Sequence, residues 1–199
     1  MKRTMRITAI IGLTACLFPV FFTGCKKGEG DPFISFKSRK SRLTGEWMLS
    51  SGTMVDKSTN GSNTTTITTT YDGANLTETT VVNSGSPMTV SYAHTEKWVF
   101  EKDGSYTITV TDSNVTTTMK GKWDFGQGIG KETKKKEQLV LYLESYSSGT
   151  YSITYTGTAN TDVYDIYQLK NKEIILKRDG TATFGSQTEE LTTELTFKQ

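Results

Sequence analysis

The chain has 199 residues, of which 23 are Lys or Arg and 21 are Asp or Glu. Three of the basic residues and none of the acidic ones fall in the first 24 positions, so the remainder carries 20 basic against 21 acidic groups, and nucleic-acid binding has no electrostatic support. Two cysteines, Cys16 and Cys25, both near the start, and a single histidine, His94, exclude a disulfide or Cys-ligated metal in the later chain and a multi-histidine metal site anywhere.

Lys2, Arg3 and Arg6 form a basic start, followed by an apolar run from Ile7 to Phe22 broken only by Thr8, Gly12, Thr14 and Pro19. A basic head, an apolar middle and the small pair Thr23-Gly24 make a secretory signal, and the run is shorter than the roughly 20 residues that comfortably span a bilayer. Phe22-Thr23-Gly24-Cys25 resembles the lipobox of bacterial lipoproteins. That resemblance implies a signal peptide over residues 1–24, acylation of Cys25 with fatty acids such as palmitate, and a lipid-anchored position in the bacterial cell envelope. Lys26 does not resemble the aspartate that retains some lipoproteins at the inner membrane, which favours the outer membrane, on its periplasmic face or at the cell surface. Leu13-Thr14-Ala15-Cys16 fits the same pattern and would leave Leu17 to Phe22 on the mature chain; an uncleaved single-span anchor is the third arrangement. All three attach the protein to a membrane.

Residues 25–42 read as the lipidated cysteine and a flexible tether. Lys26-Lys27-Gly28-Glu29-Gly30-Asp31 is polar, and Phe33, Ile34 and Phe36 interrupt it. As a random chain, residues 26–42 span about 23 Å. Lys37, Arg39, Lys40 and Arg42 either meet anionic headgroups, at about 1 kcal/mol each, or are simply solvated.

Residues 43–199 read as one all-β domain. Leu43 to Leu49 opens it. Met54 to Asn63 is expected as a polar loop, Thr64 to Tyr71 as a Thr-rich strand, and Leu76 to Val82 as its return after Asp72-Gly73, a pair suited to the positive φ angles of a tight hairpin. Met88 to Glu101 contains one or two strands ending in Trp98-Val99-Phe100, and Asp103-Gly104 turns the chain again. Ser105 to Val110 alternates cleanly, with Tyr106, Ile108 and Val110 on one face. Val115 to Phe125 continues with Met119, Trp123 and Phe125 on the apolar face, where Gly121 also lies and permits a sharp bend. A glycine- and lysine-rich loop follows from Gly126 to Glu137, with Lys131, Lys134, Lys135 and Lys136 beside Glu132 and Glu137. Leu139, Leu141 and Leu143 then alternate with Val140, Tyr142 and Glu144. Tyr151 to Thr156, Asp162 to Leu169 and Glu173 to Arg178 are further strands; Asp179-Gly180 follows, and a final strand contains Leu191, Leu195 and Phe197. About eight to ten consecutive antiparallel strands with hairpin links point to an up-and-down barrel, which leaves no exposed edges.

Gly45-Glu46-Trp47 at the first strand, followed by this up-and-down series, resembles the lipocalin superfamily, in particular the lipocalin-like lipoproteins of Bacteroidetes-type bacteria. The resemblance covers Leu43 to about Lys198. It implies that Trp47 plugs the closed end of the barrel with Arg178 or Lys177 packed across its ring, and that the barrel binds or carries a small, mostly hydrophobic molecule. Trp98, Phe100, Tyr106, Ile108, Met119, Trp123, Phe125, Leu141 and Leu143 are the candidate pocket, or else a filled core. Tyr142, Tyr151, Tyr155, Tyr164 and Tyr167 are candidates for a polar mouth or for the barrel wall. The alternative is a non-catalytic interaction module that binds a glycan or protein through its loops around a filled core. A monomer without cofactor is expected. Catalysis lacks a signature: no serine elbow, no thiol in the domain, and no marked carboxylate pair.

Overall fold

The computed structural model describes residues 29–32, 37–127, 137–157 and 160–199. The signal, both cysteines, Phe33, Ile34, Phe36 and the lysines from Lys131 to Lys136 lie outside the described residues. A short helix, α1 (Arg39–Leu43), precedes eleven strands: β1 (Gly45–Asn60), β2 (Asn63–Tyr71), β3 (Asn75–Val82), β4 (Met88–Phe100), β5 (Ser105–Asp112), β6 (Val115–Gln127), β7 (Glu137–Ser148), β8 (Tyr151–Thr154), β9 (Thr161–Leu169), β10 (Glu173–Phe184) and β11 (Gln187–Lys198).

The strands form the expected closed antiparallel up-and-down barrel of lipocalin-like type. β1 pairs with β11, and β6 with β7, which completes the ring. β8 and β9 both run down the same side of β7, on Ser145–Ser148 and Gln138–Tyr142 respectively, so they are one interrupted wall and the ring has ten walls. Its two ends differ. At the base, Gly45–Met48 of β1 pairs directly with Lys97–Phe100 of β4. Higher up the two strands part, and the β2–β3 hairpin fills the fork. The base is therefore an eight-walled ring and the mouth a ten-walled one, and diameter grows with strand number.

Local chemistry explains the turns. Asp72 accepts the N–H groups of Ala74 and Asn75 at 3.0 and 2.9 Å, and Gly73 takes φ +100°. Asp103 accepts the Ser105 N–H at 2.8 Å beside Gly104 at φ +86°. These short polar side chains mimic a backbone turn, and glycine supplies the positive φ. Two expectations fail. Met54 to Asn60 is not a loop: it continues β1, because β2 and β11 satisfy its backbone on both sides. Asp179-Gly180 lies inside β10, paired rung by rung with β11, and the turn falls at Gly185, φ +63°.

The core occupies the eight-walled base. Period-two alternation brings Trp47, Leu49, Trp98, Phe100, Tyr106, Ile108, Trp123, Leu139, Leu141, Ile166, Leu176 and Phe197 inside, all buried. Each such side chain is worth about 1.5–3 kcal/mol. The rings interlock edge to face: Trp98–Phe100 at 6.0 Å, Phe100–Trp123 at 5.8 Å and Trp123–Phe125 at 5.5 Å between centroids.

The base is sealed from below. Ser38 caps α1 by accepting the Ser41 N–H at 3.1 Å. Leu43 is fully buried, and its carbonyl accepts the Trp47 indole N–H at 2.7 Å. Arg42 donates to the Leu169 carbonyl at 2.7 Å, and Asp31 accepts the Leu169 N–H at 2.8 Å. Arg39 joins Asp31 to Glu137 in a buried ion network. Residues 30–31 and 38–42, expected within the tether, thus pack on the barrel, and Arg39 and Arg42 point into this seal rather than outward.

Candidate functional site

A cavity of about 230 Å³ lies directly above the aromatic core, where the ring widens from eight walls to ten. Its floor is Trp98, whose ring meets Phe197 at 4.6 Å and Tyr164 at 5.7 Å. Leu49, Met54, Leu76, Leu191 and Leu195 supply apolar wall, Tyr71 and Tyr164 add aromatic wall, and His94, Glu96 and Arg178 are the ionisable groups on the lining.

The fork builds one side. The turn between β2 and β3 is wedged between β1 and β4, held by the His94 N–H donating to the Ala74 carbonyl at 3.0 Å. The Tyr71 ring meets the His94 ring edge to face at 5.1 Å. His94 itself is buried between two carboxylates: Nδ1 lies 2.5 Å from Asp112 Oδ1, and Nε2 lies 3.5 Å from Glu96 Oε2. The hydrogen bond with Glu96, then that with Asp112, raises its pKa above the ordinary 6.5 against the opposing effect of burial. Glu96 Oε1 also accepts the Trp98 indole N–H at 2.5 Å. Among the described residues, no group of three or more His, Cys, Asp or Glu is placed to hold a metal ion.

On the opposite side, Arg178 donates to Asp162 at 2.8 Å, and its guanidinium carbon stands 6.0 Å from the centre of the Tyr164 ring. This pair sits just above the last β9–β10 rung, Lys177 with Asp165. Burial, then Asp162, pushes the Tyr164 phenol up to about 12.

Of the nine candidate pocket residues, only Trp98 lines this cavity. Phe100, Tyr106, Ile108, Trp123 and Leu141 are buried in the core beneath it, Met119 and Phe125 pack half-buried against that core, and Leu143 is half-buried opposite Gly121. Hollow and filled readings each hold for one part of the barrel: the narrow base is solid and the wider part above it is not. Arg178 is not the partner of Trp47. It lies on the cavity, four positions above Ile174 at the base, while Lys177 faces outward over Tyr167 at 4.3 Å. Trp47 does lie fully buried at the closed end, fixed by its bond to Leu43. Of the five tyrosines, Tyr164 reaches the cavity and Tyr151 is exposed. His94, which reads from the sequence as an ordinary strand residue, and Glu96 are the polar groups that sequence reasoning missed. The signal was present: they continue the inward alternation of Phe100 and Trp98 toward the start of β4.

The fold and the site together define a closed up-and-down barrel with one end packed solid and a lined cavity above it. Compared with protein-family models and with curated proteins, the chain matches none.

Proposed function

We propose that the protein is a lipid-anchored envelope protein of the lipocalin-like lipoprotein kind, whose barrel binds or carries a small, mostly hydrophobic molecule without chemistry. The observation that carries this reading is the cavity: a concave space with aliphatic and aromatic walls and a few placed polar groups, at the level where two extra walls widen the ring. Such a lining is the usual make-up of a small-molecule site. The volume of about 230 Å³ falls just below the roughly 300–1,000 Å³ of drug-sized pockets, which suits a single ring or a short branched chain. The lipobox at Cys25 supports the anchor, and the barrel then projects from the membrane surface as a monomer.

The test is a titration of the full chain, purified in maltoside detergent, with the neutral single-ring fluorophore 4-(dimethylamino)benzonitrile, whose emission rises in apolar surroundings. Saturable enhancement that Met54→Trp removes, by filling the cavity, is the expected result. Enhancement that never saturates, or that the filled variant retains in full, would sink the reading.

A further inference from the structure

We infer that this cavity is a recognition site for a compact organic cation, an alkylammonium or quaternary ammonium group; the inference rests on the ligand-binding reading above. Two features of the lining converge on it. The first is aromatic. Tyr71, Trp98 and Tyr164 all border the same small space, Tyr164 already carries the Arg178 guanidinium over its ring, and such rings attract a poorly hydrated cation. An uncharged ligand gains area from these rings; a cation gains that area and the ring quadrupole as well.

The second is the charge balance. His94 is flanked by Glu96 from its own strand and by Asp112 from β5. Neutral His94 leaves two negative charges in this trio, and protonated His94 still leaves one. On the far wall Arg178 is matched by Asp162 at 2.8 Å, so that pair adds no net charge. Asp112 and Asp162 stand behind the lining rather than on it, and with them counted these five groups keep an excess of negative charge in either state of His94. Glu96 is the carboxylate that reaches the cavity itself, and the Trp98 N–H holds it beside the indole. A carboxylate fixed next to aromatic rings is the arrangement a quaternary ammonium needs and an anion avoids.

The decisive comparison uses three molecules of nearly one shape and different charge: choline, its neutral carbon isostere 3,3-dimethylbutan-1-ol, and the anion 3,3-dimethylbutyrate. Each is titrated calorimetrically into the full chain in maltoside at pH 8. Choline is expected to bind about tenfold more tightly than the neutral isostere, with the anion weakest. Glu96→Gln is expected to erase the choline advantage, read as the ratio of the choline and isostere affinities within the same variant. The comparison on the unaltered protein stands even where that variant folds poorly. Equal binding of choline and its isostere would overturn the cation inference while leaving the cavity as a ligand site. Tightest binding of the anion would overturn it in favour of Arg178 as the anchor. Failure of all three, together with failure of the neutral fluorophore, would remove both readings.

Discussion

Gly121 offers a strict test of how tightly the base is packed. It lies on the inward face of β6, beside the register shift between Lys120 and Gly121, opposite Leu143 of β7. A Cβ built there falls deep inside the Tyr142 carbonyl oxygen and 2.9 Å from the Tyr106 ring. The carbonyl belongs to a strand paired on both sides, so it cannot yield by the few tenths of an ångström that would relieve a lesser contact. Gly121→Ala must shift β7 against β6. Overpacking of this kind costs about 1–3 kcal/mol, and one lost ladder bond adds about 1 kcal/mol. Together, about 2–4 kcal/mol lowers the melting temperature of a domain this size by about 4–16 °C. The control is Gly180→Ala, also inward in a strand, where the added Cβ meets nothing within 4 Å; removing a flexible glycine there is worth about 0.4–1 kcal/mol of stabilisation. Thermal unfolding followed by circular dichroism reads both. An unshifted Gly121→Ala variant, or equal shifts in the two variants, would refute the packing argument.

Arg39→Ala removes the guanidinium that joins the buried carboxylates Asp31 and Glu137 and is expected to cost about 3 kcal/mol; a urea midpoint unchanged from the parent would show that this ion network contributes nothing. The raised pKa of His94 means that its contribution to stability is fully present below about pH 6.5 and is lost as pH rises through the folded value. As the only histidine, it gives one imidazole titration by NMR, and Asp112→Asn is expected to move that midpoint down; a parent midpoint at or below 6.5 would contradict the geometry. Metabolic labelling with tritiated palmitate is expected to mark the parent and not Cys25→Ser, whereas label lost only in Cys16→Ser would move the anchor.

The strand pattern, the hairpin turns and the buried face of each central strand were legible because period-two alternation is a local property. Tyr106, Ile108, Trp123 and Leu141 read inward from the sequence and are inward. What was not legible depends on distant pairings. The polar stretch from Met54 to Asn60 looks like a loop until β2 and β11 flank it. Core and cavity could not be separated on the inward face, because both use the same alternation. Trp98 borders the cavity, whereas Trp123, an equally apolar residue, lies wholly below it, and the difference is the level at which β1 and β4 part. Arg178 was drawn to Trp47 by analogy, but its height on β10 is set by the register with Thr193 of β11, well above the base. The missed pair, His94 and Glu96, was polar, and polar residues on an inward face become informative only once a cavity exists for them to face.

The fork between β1 and β4 separates two requirements that compete in a uniform barrel. A ring of constant strand number cannot gain interior room without loosening the packing everywhere. Here eight strands already close beneath the insertion, so changes in the length or composition of the β2–β3 hairpin alter the chamber while the foundation keeps its contacts. The room above the base can then be altered at little cost in folding, with the hairpin as the adjustable part and the base as the fixed one.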